Sequence, residues 1–166
     1  MKIILMMAVT ADGKIARSAD HFPDWTSKED KKMFAETTKK VGVAIFGENT
    51  FRTFLRALPE RLNVVFTLEK NPPKQEGVKW VSGEPEKILK DLEDSGYKSA
   101  ILGGGAGLNS QFLEKGLIDE IWLTIEPKIF GEGLGVFSKE LSADLKLLDV
   151  EKINDDSVVL KYEVVK

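Results

Sequence analysis

The chain has 166 residues, 42% of them apolar and 31% charged, with a formal net charge of −3, which is typical of one globular domain, residues 1–166, with a continuous core. Zero cysteines exclude disulfides, thiolate metal sites and cysteine nucleophiles, and the single histidine, His21, excludes a histidine zinc cluster. No apolar run is long enough to span a membrane, and basic residues alternate with acidic ones, so we expect a cytoplasmic enzyme or small-molecule binder without metal, membrane or nucleic acid.

The first part of the chain alternates strand and helix signals. Residues 3–9 form a continuous apolar run, which is typical of a strand buried on both faces. A polar loop follows over residues 10–24, and apolar spacing then predicts a helix over residues 26–41. A second buried strand is expected at residues 43–46, and a short helix follows it and ends near Phe54.

The remainder of the chain continues this alternation. Further strands are predicted at residues 62–68, 78–81, 99–102 and 120–125, and further helices at residues 84–93 and 108–115. Residues 145–153 and 157–165 flank a polar turn, which predicts a closing antiparallel hairpin. The pattern therefore predicts an α/β fold whose central sheet is mixed but mostly parallel, with flanking helices.

One acidic residue of the first helix needs a special explanation. Helical spacing places four residues on its inward face: Asp30, Phe34, Thr37 and Val41. A carboxylate on an inward face is costly unless it is hydrogen-bonded or protonated, so Asp30 is a candidate proton-handling or ligand-anchoring acid. The alternative is that Asp30 is an ordinary acid of the first helical turn, where a negative charge interacts favourably with the helix dipole. Thr26 and Glu29 form a capping-box pattern that places the helix start there. The helix alone favours neither interpretation.

Three segments lie where predicted parallel strands end, which is where ligands bind in such sheets: residues 47–51, 67–70 and 103–109. The last has four glycines among seven residues. Backbone amides at a glycine-rich helix start bind phosphate well, because no Cβ blocks the approach. The run lacks the dinucleotide fingerprint and the P-loop lysine, so close packing of a helix on the sheet is an equal alternative.

Taken in chain order, these segments resemble the dihydrofolate reductase fold family, which includes the pyrimidine reductases of riboflavin synthesis. The resemblance rests on the loop motif at residues 11–16, Trp25 with Asp30, the segments 46–51 and 58–65, Gly104-Gly105, and Leu123-Thr124. It covers nearly the whole chain, and it implies a dihydrofolate reductase-like fold with a C-terminal antiparallel hairpin.

The resemblance also implies roles for individual residues. Asp30 would hold the ring of the substrate and assist its protonation, and the catalytic group would also include Trp25 and Thr124. The implied substrate-binding residues are Met6, Ala8, Phe34, Leu58 and Arg61, with Arg61 clamping the glutamate carboxylate of the substrate. The implied cofactor-binding residues are Ala8, Ile15, Gly47, Glu48, Asn49, Thr50, Thr67, Leu68, Gly103, Gly104, Gly105, Ala106, Gly107 and Leu108. The implied cofactor is NADPH, with NADH as the alternative, and the loop over residues 10–24 would close over the nicotinamide.

Two residues depart from the pattern of dihydrofolate reductases. Glu48 stands where these enzymes usually carry an arginine for the 2′-phosphate of the cofactor, and a carboxylate there would repel that phosphate unless Lys70 or Lys74 compensates. Asn109 replaces an aromatic residue that usually lies beside the nicotinamide. Residues 103–136 are more similar to the riboflavin-pathway reductases, so the sequence combines features of both groups.

We therefore predict a reductase that converts 7,8-dihydrofolate to tetrahydrofolate. The alternative is a riboflavin-pathway reductase of 5-amino-6-(5-phosphoribosylamino)uracil or the related diaminopyrimidine, in which a phosphate-binding group replaces the role of Arg61. A third possibility is a protein that binds a nucleotide without turnover.

Several residues keep a local alternative. Trp25 is equally a core anchor. For Arg61 the alternative is an ion pair with Glu60 or a neighbour, although the motif favours the clamp, and for Thr124 it is an ordinary β-branched strand residue. His21 is expected to be a solvated loop residue. The expected partner is a small-molecule substrate, and the protein is expected to be a monomer or homodimer.

Overall fold

The computed structural model describes residues 1–54 and 56–166, in which strands and helices alternate. The strands are β1 (Lys2–Thr10), β2 (Lys14–Ala16), β3 (Val43–Gly47), β4 (Leu62–Phe66), β5 (Val78–Val81), β6 (Ser99–Leu102), β7 (Glu120–Glu126), β8 (Leu134–Gly135), β9 (Leu145–Lys152) and β10 (Val158–Val164). The helices are α1 (Lys28–Val41), α2 (Glu48–Arg52), α3 (Pro85–Asp94) and α4 (Ala106–Glu114).

Within the described residues, eight of the strands form one twisted sheet in the order β5-β4-β3-β6-β1-β7-β10-β9. The pairs from β5 through to β7 are parallel, whereas β10 runs antiparallel to both of its neighbours. The strands β2 and β8 form a separate antiparallel pair. The predicted α/β fold, with a mostly parallel sheet and an antiparallel C-terminal hairpin, is confirmed.

The apolar run of β1 is buried because helices cover both faces of the sheet. Ile3 and Leu5 point into the main core cluster, which also contains apolar residues of α3 and α4. Their neighbours Ile4 and Met6 point to the opposite face, where residues of α1 pack against them. Alternation along a strand sends successive side chains to opposite faces, so a strand between two helix layers needs apolar residues at every position.

Residue Ser27 caps α1 at its N-terminus, and this differs from the predicted capping box of Thr26 and Glu29. The Ser27 hydroxyl accepts a hydrogen bond from the backbone N–H of Asp30 at 3.2 Å. Gly42 ends the helix in the left-handed conformation, with φ +86°, and its N–H donates to the carbonyl of Thr38. The inward face also turns slightly from the prediction, because Thr38 rather than Thr37 is fully buried.

The predicted loop over residues 10–24 is more ordered than its polar composition suggests. It contains β2, which pairs with β8 in the segment that follows β7. The carboxylate of Asp12 accepts hydrogen bonds from the backbone N–H groups of Phe130 and Gly131, at 3.2 and 2.7 Å. A hydrogen bond from the Thr10 hydroxyl is the main cause that lowers the pKa of Asp12 to about 2, and the two backbone bonds lower it further. The two loops are therefore tied together.

The prediction for His21 is wrong in one respect. Its side chain is only partly exposed, because Nδ1 accepts a hydrogen bond from the backbone N–H of Arg17 at 3.0 Å and the ring lies 5.6 Å from that of Phe130. The guanidinium of Arg17 lies 4.1 Å from the centre of the same ring. The histidine thus helps to anchor its loop.

In the described part of the chain, no helix is both long and apolar enough to cross a membrane.

Candidate active site

The carboxyl ends of the parallel strands meet at one edge of the sheet, and most predicted site residues lie along it. Ala8 near the end of β1 pairs with Thr124 near the end of β7. Gly47 ends β3, and Gly103 follows the end of β6. Thr67 follows the end of β4. Because parallel strands direct their ends to the same side, side chains that are far apart in sequence come together there.

Asp30 lies in the first turn of α1 and faces β7. Its residue is only 8% exposed, and Thr124, directly across, is 2% exposed. The hydroxyls of Thr124 and Thr26 lie close enough to the Asp30 carboxyl to lower its pKa. The contact between Asp30 and Thr124 was predicted, and the structure places the two residues together.

The surroundings of Asp30 favour a protonated acid. Burial is the main cause that raises the pKa of the Asp30 carboxyl above its ordinary value, and the nearby charge of Glu126 raises it further. Hydrogen bonds from Thr124 and Thr26, together with the Lys31 ammonium, oppose this rise without cancelling it. A carboxyl group with a raised pKa can hold a proton near neutral pH and give it to a bound substrate.

Trp25 lies in the segment before α1 and has no described contact with the Asp30 carboxyl group. Its ring packs edge-on against Phe130, with 5.0 Å between ring centres. The indole Nε1 is buried and has no hydrogen-bond partner among the described residues. Trp25 therefore serves as an anchor in the loop cluster, and it also offers a buried donor that a bound ligand could satisfy.

Helix α1 connects the surroundings of Asp30 with those of Arg61. The Arg61 guanidinium contacts Thr38, which lies eight residues after Asp30 and so about 12 Å further along the helix. Phe34 lies between them and packs against Phe46, with 6.4 Å between ring centres. An acid, an aromatic ring and a cation therefore follow one another along α1.

Arg61 is held in a fixed orientation by acceptors of the protein. Its Nε donates to the carbonyl of Pro59, and one terminal nitrogen donates to the carbonyl of Ala35, both at 2.8 Å. Its predicted alternative, an ion pair with Glu60, is not formed, because Glu60 pairs with Lys39 at 2.6 Å. A guanidinium oriented by carbonyl oxygens can still bind an anion with its remaining N–H groups.

The glycines at the ends of β3 and β6 pack closely against each other. The N–H of Gly47 donates to the carbonyl of Gly104 at 2.7 Å, and that of Gly103 donates to Ile45 at 2.8 Å. A Cβ added to Gly105 would lie 2.8 Å from the Thr50 hydroxyl. The peptide between Gly104 and Gly105 is cis. This cradle opens at the N-terminus of α4, and such a site fits the pyrophosphate of a dinucleotide.

Replacing Gly103 with alanine is expected to destabilise the protein by about 1–3 kcal/mol, because overpacking forces core side chains to move. The new Cβ would lie 2.4 Å from an atom of the Phe46 ring. Thermal unfolding and titration with NADPH would measure the effect. Gly107→Ala is the matched control, since a Cβ at Gly107 meets nothing within 4 Å. Equal stability of the two variants would contradict the close packing of this cradle.

A charged cluster lies where the resemblance predicts the ribose of the cofactor. Glu48 accepts a hydrogen bond from the Thr67 hydroxyl and pairs with Arg52. Hydrogen bonds from Thr67 and then Arg52 lower the pKa of the Glu48 carboxyl. Arg52 also contacts Glu69 at 2.9 Å, so its charge is shared between two carboxylates. The cluster thus holds the Glu48 carboxylate in a fixed position and keeps Arg52 paired.

We expect Glu48→Arg to improve the affinity for NADPH relative to NADH by at least about tenfold, since one charged hydrogen bond to a phosphate is worth about 1.5–3 kcal/mol. The variant also releases Arg52 from its partner. Dissociation constants for the two cofactors would be measured by fluorescence titration. Glu69→Gln is the control, because it loosens Arg52 and leaves residue 48 unchanged. An unchanged ratio in Glu48→Arg would show that residue 48 does not face the ribose.

The remaining predicted residues lie around these features. Met6 is buried against α1, and Leu58 and Phe34 pack against the aromatic cluster around Phe46. Leu68 is fully exposed beside Thr67. The other predicted cofactor residues occupy β2 and the first turns of α2 and α4: Ile15, Asn49, Ala106, Gly107 and Leu108. Asn109 is fully buried, and its Nδ2 donates to the carbonyl of Val136 at 2.8 Å, so it ties α4 to the segment after β8.

Sequence analysis missed one carboxylate of this site. Glu126 is only 2% exposed, and it accepts hydrogen bonds from the backbone N–H and the hydroxyl of Ser27, at 2.8 and 2.7 Å. Its second oxygen accepts from the Ser157 hydroxyl at 2.8 Å. The sequence did contain a pattern that could have identified Glu126. Residues two apart in a strand share a face, and Glu126 lies two residues after Thr124.

Comparisons with known proteins point to one family. The family model described as the RibD C-terminal domain matches residues 1–75 and 60–159. The riboflavin biosynthesis protein RibD of Aquifex aeolicus is 26% identical over 95% of this chain, which spans 56% of that protein's length. The dihydrofolate reductase of Aedes albopictus is 26% identical over 95% of this chain and 87% of its own.

Solved structures share the fold. RibD of Acinetobacter baumannii superimposes with a TM-score of 0.82 at 19% identity, over 99% of this chain and 58% of that one. The dihydrofolate reductase of Enterococcus faecalis, which was solved in complex with NADP(H), superimposes with a TM-score of 0.74 at 20% identity, over 99% and 97% of the two chains. The dihydrofolate reductase-like fold that the sequence predicted is therefore confirmed.

Proposed function

The chain belongs to the RibD C-terminal domain family, and we propose that it is a reductase that uses a nicotinamide cofactor to reduce a small heterocyclic substrate. Residues 1–166 would act as one domain in this role. The observation that carries the proposal is the buried carboxyl group of Asp30, which faces Thr124 at the edge of the sheet where ligands bind.

The role of Asp30 follows from the chemistry of the reaction. Reduction of either candidate substrate adds one hydride and one proton. In dihydrofolate they add across a C=N bond of the ring. In a ribosylaminopyrimidine the hydride adds to C1 of the ribose, the bond from C1 to the ring oxygen breaks, and that oxygen takes the proton. The nicotinamide supplies the hydride when it is bound. Asp30 would supply hydrogen bonds that orient the ring and the proton that the reduction requires, because burial raises the pKa of its carboxyl group and so favours the protonated form. Thr124 keeps this carboxyl oriented towards the substrate.

Other groups of the chain would bind and shield the reactants. The glycine cradle formed by Gly47, Gly103, Gly104 and Gly105 would hold the pyrophosphate, and Thr50 lies at its rim. The loop containing Asp12 and Trp25 would exclude water from the ring, since it is tied to the segment after β7. NADPH is the cofactor we propose, although the Glu48 cluster would also accept NADH.

The substrate we propose first is a ribosylaminopyrimidine of the riboflavin pathway. Membership of the RibD C-terminal domain family supports this choice over dihydrofolate, which the sequence motifs alone favoured. The second candidate remains dihydrofolate. It is favoured by Arg61, whose oriented guanidinium lies about 12 Å along α1 from Asp30 and would suit the carboxylate at the far end of a folate. The phosphate of the pyrimidine nucleotide would be an alternative anion for the same group.

The test is a substrate panel with purified protein. NADPH and NADH would each be mixed with the phosphoribosylaminouracil, the diaminopyrimidine and dihydrofolate, and the products would be identified by mass spectrometry. We expect reduction of a pyrimidine, with the blank lacking substrate showing no oxidation of the cofactor. Reduction of dihydrofolate alone would move the assignment to the second candidate. Cofactor binding without reduction of any substrate would contradict a reductase function.

A further inference from the structure

Two buried acids lie near each other where α1 meets the end of β7. Asp30 comes from α1 and Glu126 from β7, and they are 8% and 2% exposed. Thr124 lies two residues before Glu126 on the same face of the strand, and it contacts Asp30. Burying two acids close together is costly, so a neighbouring pair of this kind requires an explanation.

Glu126 is connected to Asp30 through one intermediate residue. Both the N–H and the hydroxyl of Ser27 donate to one oxygen of Glu126, at 2.8 and 2.7 Å. The same hydroxyl accepts the N–H of Asp30 at 3.2 Å and thereby caps α1. A carboxylate of a strand therefore fixes the cap of the helix that carries Asp30. The other oxygen of Glu126 accepts from Ser157 at 2.8 Å, so its own position is fixed as well.

The described partners of Glu126 suit a charged carboxylate. The N–H of Ser27 can only donate, and the hydroxyls of Ser27 and Ser157 are able to donate as well. The charged groups that face Asp30 are Glu126 from β7 and Lys31 from α1, whereas Thr124 and Thr26 are neutral. Burial and the charge of Glu126 both raise the pKa of Asp30, and Lys31 lowers it.

We propose that Glu126 is a positioning residue for Asp30, which holds the first turn of α1 against β7 through Ser27 and places a fixed negative charge beside the acid. This inference rests on the proposed role of Asp30 in proton transfer. It assigns the two acids different tasks, with Asp30 exchanging the proton and Glu126 retaining its charge.

The test measures the titration of Asp30 in the protein without substrate, by the carboxyl carbon signal in NMR. Glu126→Gln keeps the shape of the side chain and removes its charge, so the titration of Asp30 should shift to lower pH. Ser157→Ala is the matched control, because it removes one hydrogen bond of Glu126 and keeps the charge, and the titration should stay in place. Glu126→Asp should restore the titration towards that of the wild type.

The position of α1 is followed separately by hydrogen exchange of the Asp30 N–H. Ser27→Ala should speed this exchange, because it removes the cap. An Asp30 titration that is the same in Glu126→Gln and the wild type would overturn the proposal, as would an equal shift in Ser157→Ala. These readouts need no turnover, so they remain valid if the proposed reductase function fails. If the reductase function holds, the pH profile of kcat should shift in Glu126→Gln in the same direction as the titration.

Discussion

Asp30→Asn is expected to lower kcat about 10²–10⁴-fold at neutral pH, which is the usual contribution of a positioned general acid. Asparagine preserves the size of the side chain and can still hydrogen-bond to Thr124, but it carries no proton to transfer. Activity should recover partly in acid, where the substrate arrives already protonated. Steady-state kinetics over a range of pH would measure both effects, and circular dichroism would check the fold.

The same variant should raise stability at neutral pH. Burial raises the pKa of Asp30, so the folded protein binds this proton more tightly than the unfolded chain does. Above the pKa that Asp30 has in the folded protein, the ionised carboxylate lowers the stability of the fold. This loss of stability disappears once the pH falls below the ordinary pKa of an aspartate. Asp30→Asn should have a higher Tm than the wild type near pH 7 and an equal Tm in acid. Full catalytic activity of Asp30→Asn would show that Asp30 takes no part in the reaction.

Arg61→Leu is expected to raise KM by about 10–150-fold for a substrate that carries an anionic tail, because a hydrogen bond to a charged group contributes about 1.5–3 kcal/mol. The value of kcat should change little, because Arg61 lies about 12 Å along α1 from Asp30 and does not contact the reacting bond. The effect should vanish for an analogue without the anion. Kinetics with the intact and truncated forms of the active substrate would measure it.

A nearby lysine provides the control for Arg61. Lys39 pairs with Glu60 at 2.6 Å, and its side chain is 53% exposed. Replacing Lys39 removes one positive charge from the same region as replacing Arg61 does. Lys39→Leu should leave KM within about twofold of the wild type, because exposed ion pairs contribute at most about 1 kcal/mol. An equal rise in KM for the intact and truncated substrates in Arg61→Leu would show that Arg61 supports the fold and does not bind the anion.

Much of the fold follows from local patterns in the sequence. The bounds of β5 and β6 agree with the predicted residues 78–81 and 99–102, because each is a short apolar run bounded by turn residues. Helical spacing also placed Asp30 on the buried face of α1. The strands β2 and β8 were missed because they have three and two residues. They are stabilised by pairing between segments far apart in sequence, which no local period reveals.

The candidate site was harder to predict where its residues act through tertiary contacts. Glu126 ends a strand, and an isolated acid at that position reads as solvent-exposed until Ser27 and Ser157 are seen to donate to it. Glu48 was identified as an unusual residue at the cofactor, but its pairing with Arg52 and Thr67 joins three separate segments. The sequence therefore indicates which residues are unusual, and the structure supplies their partners.

The most direct test of the reductase function is the transfer of deuterium from a reduced nicotinamide cofactor, labelled at the hydride-donating carbon, to the product. The protein would be incubated with each candidate substrate, and the product would be analysed by mass spectrometry. We predict that one deuterium appears in the product with the wild type and that its rate of appearance falls about 10²–10⁴-fold in Asp30→Asn. Cofactor bound in the cradle with no deuterium transferred to any substrate would contradict the function proposed for this chain.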